Sequence, residues 1–171
     1  MANFKDSSKF NIHDDYYTRK KTWKQIKDYI PKDKIIWEFC LLNSNEQSKK
    51  YLQELNFNVV GDKTIDFFNE ENKDLGEILI SNIPFSSEIK IRMLKRLVEL
   101  DKPFIIILNS LNLFTKYFKE IFKDKDLHFI FPSNKIHYDK YIDGKLIESK
   151  NNTSFYSVYV CYKVIDKNIW I

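Results

Sequence analysis

The run Phe104-Ile105-Ile106-Ile107-Leu108 is unbroken in its apolarity and sits between Pro103 and Asn109. A strand with no polar face must be covered on both sides, which is the situation of a central strand in a parallel sheet flanked by helices. The segment before it supplies such a cover. From Ser87 to Leu100, Ile89, Met93, Leu94, Leu97, Val98 and Leu100 recur at helical spacing, interleaved with Lys90, Arg92, Lys95 and Arg96.

The same rhythm runs through the rest of the chain. Trp23, Ile26 and Ile30 predict a helix from Thr22 to about Tyr29, stopped by Pro31. A buried strand is expected over residues 34–39, a helix over 46–55 with Tyr51, Leu52 and Leu55 on one face, and a strand over 57–60 before Gly61. That succession is one βαβ unit. Further on, Glu77 to Ser81 reads as a strand, Leu111 to Phe122 as a helix, and Leu127 to Phe131 as a strand closed by Pro132. Residues 135–141 and 157–164 alternate in the strand manner with Asp143-Gly144 as a turn signal between them, so a C-terminal antiparallel hairpin is expected. Periodicity alone gives a mixed α/β domain.

Composition narrows the class. A chain of 171 residues with 43% hydrophobic and 16% aromatic content buries a sizeable core and is not disordered. Residues 1–14 are polar and expected to be loosely ordered, leaving 15–171 as a single domain. With 28 basic against 24 acidic residues, the net charge of +4 permits a polyanionic partner without demanding one. His13, His128 and His137 are scattered and lack any nucleophile or carboxylate pattern, which argues against metal-assisted hydrolysis and a catalytic triad. Cys40 and Cys161 are far apart without metal-ligand spacing and are expected as buried thiols in a reducing compartment. No apolar run reaches membrane-spanning length and the N-terminus lacks a signal-peptide core, so a soluble intracellular protein without membrane association is expected.

The chemistry concentrates at Ser81-Asn82-Ile83-Pro84-Phe85, delivered by the strand before it. A carboxamide at a strand's C-terminal end, followed by proline and an aromatic ring, resembles the arrangement of methyltransferases that modify an exocyclic amine of a nucleobase, which implies that Asn82 and the Ile83 carbonyl accept from the amine. Pro84 fixes φ so that the acceptors converge, and the Phe85 face can stack on an extruded base. The bland alternative is a turn that ends a strand.

Asn82-Ile83-Pro84-Phe85 resembles the Asn-Pro-Pro-Phe motif of DNA adenine methyltransferases, departing at Ile83. The similarity extends along the chain. Asp15-Tyr16-Tyr17-Thr18 with Trp23 looks like the motif before the family's first strand, Ile36-Trp37-Glu38-Phe39 like the acidic end of that strand, and Asp66-Phe67-Phe68 like the contact to the cofactor's adenine. Asp62 stands where the family places an acid for the ribose hydroxyls. The chain thus resembles class I S-adenosylmethionine-dependent methyltransferases, and among them the short phage-type and large-DNA-virus adenine methyltransferases. The resemblance implies a Rossmann-like α/β fold, a mostly parallel sheet flanked by helices with a C-terminal antiparallel hairpin. It also implies Asn82, Ile83, Pro84 and Phe85 as the catalytic loop, and Tyr17, Thr18, Glu38, Asp62, Asp66 and Phe67 as cofactor contacts for S-adenosylmethionine. If the chain is viral, its place is the host cytoplasm or the virion.

One departure stands out. Where the family carries two loop glycines, this chain has Leu42 and Ser44, so weakened cofactor affinity is expected and Leu42→Gly with Ser44→Gly should improve it. Basic residues Arg19, Lys20 and Lys21 flank the N-terminal motif with no acid among them, and are expected to contact nucleic-acid phosphates; DNA is the partner implied, with RNA, a protein partner or a second copy left open. The helix carrying Lys90, Arg92, Lys95 and Arg96 is expected to present a solvated face. Two functions follow: a methyltransferase acting on the exocyclic amine of adenine in DNA, or a methyltransferase-fold protein without cofactor that serves as a nucleic-acid-binding, partner or structural subunit.

Overall fold

The computed structural model describes residues 16–40, 46–142, 145–148 and 153–171. Seven strands form its main sheet: β2 (Ile36–Trp37), β3 (Val59–Val60), β4 (Ile78–Asn82), β5 (Phe104–Asn109), β6 (Leu127–Phe131), β9 (Ser157–Tyr162) and β10 (Ile169–Trp170), in the order β10-β6-β9-β5-β4-β2-β3. All pairings are parallel except those of β9, which lies antiparallel to both β5 and β6. This is a Rossmann-like α/β sheet carrying one antiparallel strand, the arrangement implied by the resemblance to class I methyltransferases.

Side-chain alternation divides the core into two layers. On one face Ile36, Ile78, Ile80, Ile105 and Ile107 pack against Trp23 of α1 (Lys20–Gln25) and Leu52 of α2 (Gln47–Glu54). On the other, Trp37, Leu79, Phe104, Ile106 and Leu108 meet Met93, Leu94 and Leu97 of α3 (Ser87–Leu100) and Phe118 of α4 (Lys116–Ile121). Phe104 to Leu108 are all buried, each contributing about 2 kcal/mol by removal from water. The helix α3 stops where Asp101 turns left-handed at φ 50°, a conformation costly for a residue with a Cβ. Tyr162, Lys125 and Lys163 all donate to the Asp101 carboxylate, at 2.7, 2.6 and 2.7 Å, and hold it there.

Four expectations need correction. The single helix over 111–122 is broken into a 3-10 segment, Ser110–Phe114, and α4, because the Thr115 hydroxyl accepts the Phe118 N–H and starts a new helix. The helix expected from Thr22 to Tyr29 spans only Lys20–Gln25, and the strand over 34–39 shrinks to Ile36–Trp37. The C-terminal hairpin does not join the two segments named for it. Instead β7 (Tyr138–Ile142) pairs with β8 (Lys145–Glu148) and with β1 (Tyr17–Thr18) in a separate three-stranded sheet, while β9 enters the main sheet alone. The Asp143-Gly144 signal and residues 1–14 lie outside the described residues.

Candidate functional site

From β2 the chain first moves outward to β3 and then returns across β2 to β4, so the strand order reverses at β2 and β4. Crevices at such reversal points, outside the strands' C-terminal ends, are where α/β sheets bind ligands. Glu38 follows β2, Asp62 lies just past β3, and the Ser81–Phe85 segment spans the end of β4.

Glu38 is 2% exposed. Ser81 Oγ donates to its Oε1, and Cys40 N donates to the same oxygen at 3.2 Å. Burial outweighs these bonds and pushes the Glu38 carboxyl up to about 7; Glu46 adds to the rise and Lys49 opposes it. Across the crevice Gly61, at φ 122°, turns its hydrogen toward the Glu38 carbonyl, only 2.3 Å from where a Cβ would stand. Lys49 Nζ donates to the Gly61 carbonyl at 2.6 Å and closes the corner from α2.

Asp62 sits half-buried just beyond and accepts from Thr64 N at 2.7 Å and Thr64 Oγ1 at 2.5 Å, bonds that hold its carboxyl below the usual range and keep it charged. Asp66 Oδ1 accepts from Phe68 N at 2.9 Å. Phe67 is 1% exposed, stacked on Phe39 at 4.2 Å with Trp37 against its edge at 5.4 Å. Its face is occupied by the core, so the expectation that it meets the cofactor's adenine is corrected. As a receptor for S-adenosylmethionine the residues fit in part: Asp62 offers a fixed anion for ribose hydroxyls and Thr18 a buried hydroxyl without a partner among the described residues, whereas Phe67 and Glu38 are committed to the fold. Leu42 and Ser44 lie outside the described residues.

The Ser81–Phe85 loop is fixed at both ends. Ile83 N reaches Ile107 O at 3.5 Å, Ile83 and Pro84 are buried, and Lys90 Nζ donates to Phe85 O at 3.0 Å. Lys90 is therefore a buried residue that ties α3 to the loop, not part of a solvated face. Asn82 Nδ2 donates to Tyr16 O at 3.3 Å. A carbonyl only accepts, so this bond fixes which way the amide lies. It leaves Asn82 Oδ1 buried with no partner among the described residues, a state that costs about 1 to 3 kcal/mol. Around the loop, Phe85, Tyr138 and Phe155 form a cup: Phe85 lies 4.9 Å from Phe155 and 6.1 Å from Tyr138, and Tyr138 lies 6.2 Å from Phe155. Tyr138 OH donates to Ser157 Oγ at 2.8 Å and anchors the cup to β9.

The basic cluster is rearranged by partners from distant segments. Arg19 Nε bonds Asp139 Oδ1 at 2.7 Å with both side chains nearly buried, and Lys20 meets Glu54 at 2.5 Å. Only the absence of acids within the run itself was visible in the sequence. Lys21 remains exposed, and burial, followed by the nearby charges of Lys21, Arg19 and Lys135, lowers the His137 pKa. Arg19→Ala should cost about 2 kcal/mol of stability in urea unfolding, because it strands Asp139 in a partly buried position; a loss under about 0.5 kcal/mol, the range of an exposed pair, would show the clamp to be idle.

Tyr17 pairs with Asp139 and Thr18 with Tyr138 in the β1–β7 ladder, which brings both beside the loop. Cys161 is buried, its thiol pushed up to about 12 by desolvation, and Cys40 is half-buried. Among the described residues no helix is long and apolar enough to cross a membrane. No protein-family model matches the chain, and no curated protein matches its sequence. Among solved structures, the chain is similar to the precorrin-6y C5,15-methyltransferase from Geobacter metallireducens GS-15, at 12% sequence identity and a TM-score of 0.47 over 92% of this chain and 96% of that one. At that level the order and direction of the strands, not the likeness, carry the fold.

Proposed function

We propose that the chain is a methyltransferase-like protein whose Ser81–Phe85 loop receives the exocyclic amine of a nucleobase, with adenine in DNA the substrate that the motif suggests. The observation that carries this reading is Asn82 Oδ1, an acceptor held at a strand's end, buried and unsatisfied among the described residues. Native proteins rarely leave such an atom unpaired, and a donor arriving with a ligand removes the penalty. An amine on a planar ring supplies that donor, and the ring suits the aromatic cup beside it. S-adenosylmethionine, when bound, would supply an electrophilic methyl group. The chain's part is then to orient the amine through Asn82 and the Ile83 carbonyl, to exclude water with Pro84 and Phe85, and to offer acceptors for the positive charge that develops on nitrogen. The exposed Lys21, just past the N-terminal strand β1, supports a phosphate backbone as the carrier of the base.

A second reading, a protein of this fold that holds the ring without methylating it, is favoured by the closed face of Phe67. Calorimetric titration with S-adenosylmethionine and S-adenosylhomocysteine, followed by radiolabelled methyl transfer to adenine-containing DNA, separates the two. On the first reading both ligands bind, and Asn82→Ala lowers transfer roughly ten-fold or more while the protein stays folded. Absence of binding together with retained, Asn82-dependent affinity for DNA supports the second. Transfer that persists unchanged in Asn82→Ala removes the loop from both.

A further inference from the structure

The aromatic cup is filled by the chain's own Tyr16. Its ring meets Phe85 at 5.0 Å, Tyr138 at 5.7 Å and Phe155 at 5.9 Å, with interplanar angles of 60°, 69° and 86°, so all three rings surround it edgewise and none stacks on it face to face. Lys140 Nζ lies over the same ring, 5.1 Å from its centroid. At the same point the Tyr16 carbonyl takes the Asn82 amide N–H and leaves Asn82 Oδ1 without a donor among the described residues. Tyr16 thus brings a ring and an acceptor to a place that has room for a ring and asks for a donor. Its match is half complete. A heteroaromatic ring bearing an amine would fill the same cup and satisfy the oxygen that Tyr16 leaves bare.

We propose that Tyr16 is a resident plug, standing in for an amine-bearing aromatic ring, and that the site opens when the strap formed by residues 16–18 leaves the cup. This rests on the reading of the Ser81–Phe85 loop given above. The strap is suited to exchange. It is bound to the body of the protein by a two-residue ladder to β7, by the Arg19 bonds to Asp139 and to the Tyr138 carbonyl, and by the Asn82 amide on the Tyr16 carbonyl, while the cup keeps ties of its own, Tyr138 to Ser157 and Phe85 O to Lys90. The edgewise contacts of Tyr16 lie within the separation at which rings attract, yet they forgo the broad overlap that a flat base could make with Phe85. A closed strap taxes affinity by the fraction of molecules that are open, so removing the plug raises apparent affinity without adding a contact.

The test is fluorescence anisotropy with a labelled single-stranded oligo(dA), on the unmodified protein, Tyr16→Phe, Tyr16→Ala, Asn82→Ala and the Tyr16→Ala/Asn82→Ala double variant. The expected result is affinity tighter on the order of ten-fold in Tyr16→Ala, unchanged in Tyr16→Phe, and returned to the starting level or below in the double variant. Equal affinity in Tyr16→Ala and the unmodified protein, with Asn82→Ala weakening both backgrounds, overturns the plug and leaves the loop reading standing. Affinity that ignores Asn82 in every background overturns the loop reading and the plug together. A measurement without substitutions guards against misfolding of Tyr16→Ala: saturating oligo(dA) should speed hydrogen exchange at the amides of residues 16–18, and protection that is unchanged or increased refutes strap release.

Discussion

Gly61→Ala should destabilise the protein by about 4 kcal/mol or more, a large share of the stability of a typical domain. The new methyl would stand 2.3 Å from the Glu38 carbonyl oxygen and 3.3 Å from Trp37, both fixed in the core where β2 ends. Neither can yield, since Glu38 N is itself bonded to Val60 O at 3.1 Å and Trp37 is 1% exposed. The φ of 122° adds a strain of about 1 to 3 kcal/mol that only glycine avoids, and overpacking adds a similar amount. Urea unfolding of the variant checks this directly; a loss below about 1 kcal/mol would mean that β3 shifts freely against β2 and that the crevice is not rigid.

Glu38→Gln should stabilise the protein at pH 8 by about 3 kcal/mol and leave it nearly unchanged at pH 4. The sign follows from where the proton is held. Burial raises the folded-state pKa from 4.5 to about 7, so the folded protein binds this proton more tightly than the unfolded chain does. The contribution is fully favourable below about 4.5 and is lost as pH climbs through about 7, where the carboxylate must ionise in a desolvated place. Glutamine keeps an oxygen for Ser81 Oγ and Cys40 N and has no charge to bury. In a chain of this size the gain corresponds to a rise in Tm of roughly 5 to 10 °C at pH 8. His137, whose pKa is depressed, titrates in the opposite sense, losing stability as pH falls, so the diagnostic quantity is the difference between variant and parent at each pH. A difference that does not change from pH 5 to pH 8 would show that Glu38 is ionised throughout and solvated after all.

Elements held by their own periodicity were legible in the sequence. The Phe104–Leu108 strand and the Ser87–Leu100 helix carry enough apolar residues at the right spacing to declare themselves, and both form as expected. The two-residue strands at Tyr17–Thr18 and Ile169–Trp170 have no pattern of their own, because their identity comes from the strands they join. Thr115 shows a competition that periodicity hides: apolar spacing continues through it, yet its hydroxyl caps a new helix. At the candidate site, the sequence placed an acid at Glu38 and an amide at Asn82 but gave no sign of their states. A raised pKa needs a desolvated cavity and an orphaned oxygen needs neighbours that fail to donate, and both are properties of the packed environment. The cation run at Arg19–Lys21 likewise gave no sign that Asp139 and Glu54, from elsewhere in the chain, pair with Arg19 and Lys20.

The long reach of those partners sets the order in which the site can be built. Arg19 and Asp139 lie 120 positions apart, and Tyr159 OH reaches back 137 positions to Thr22 O. Contacts so distant cannot offset the entropy of loop closure until most of the chain has condensed around β5, and they slow the last stages of folding. A chain emerging from the ribosome would thus display the Ser81–Phe85 loop, with its acceptor, well before Tyr138 and Phe155 exist to wall it. Two of the three walls of the cup thus come from the last third of the chain and are the last to be synthesised.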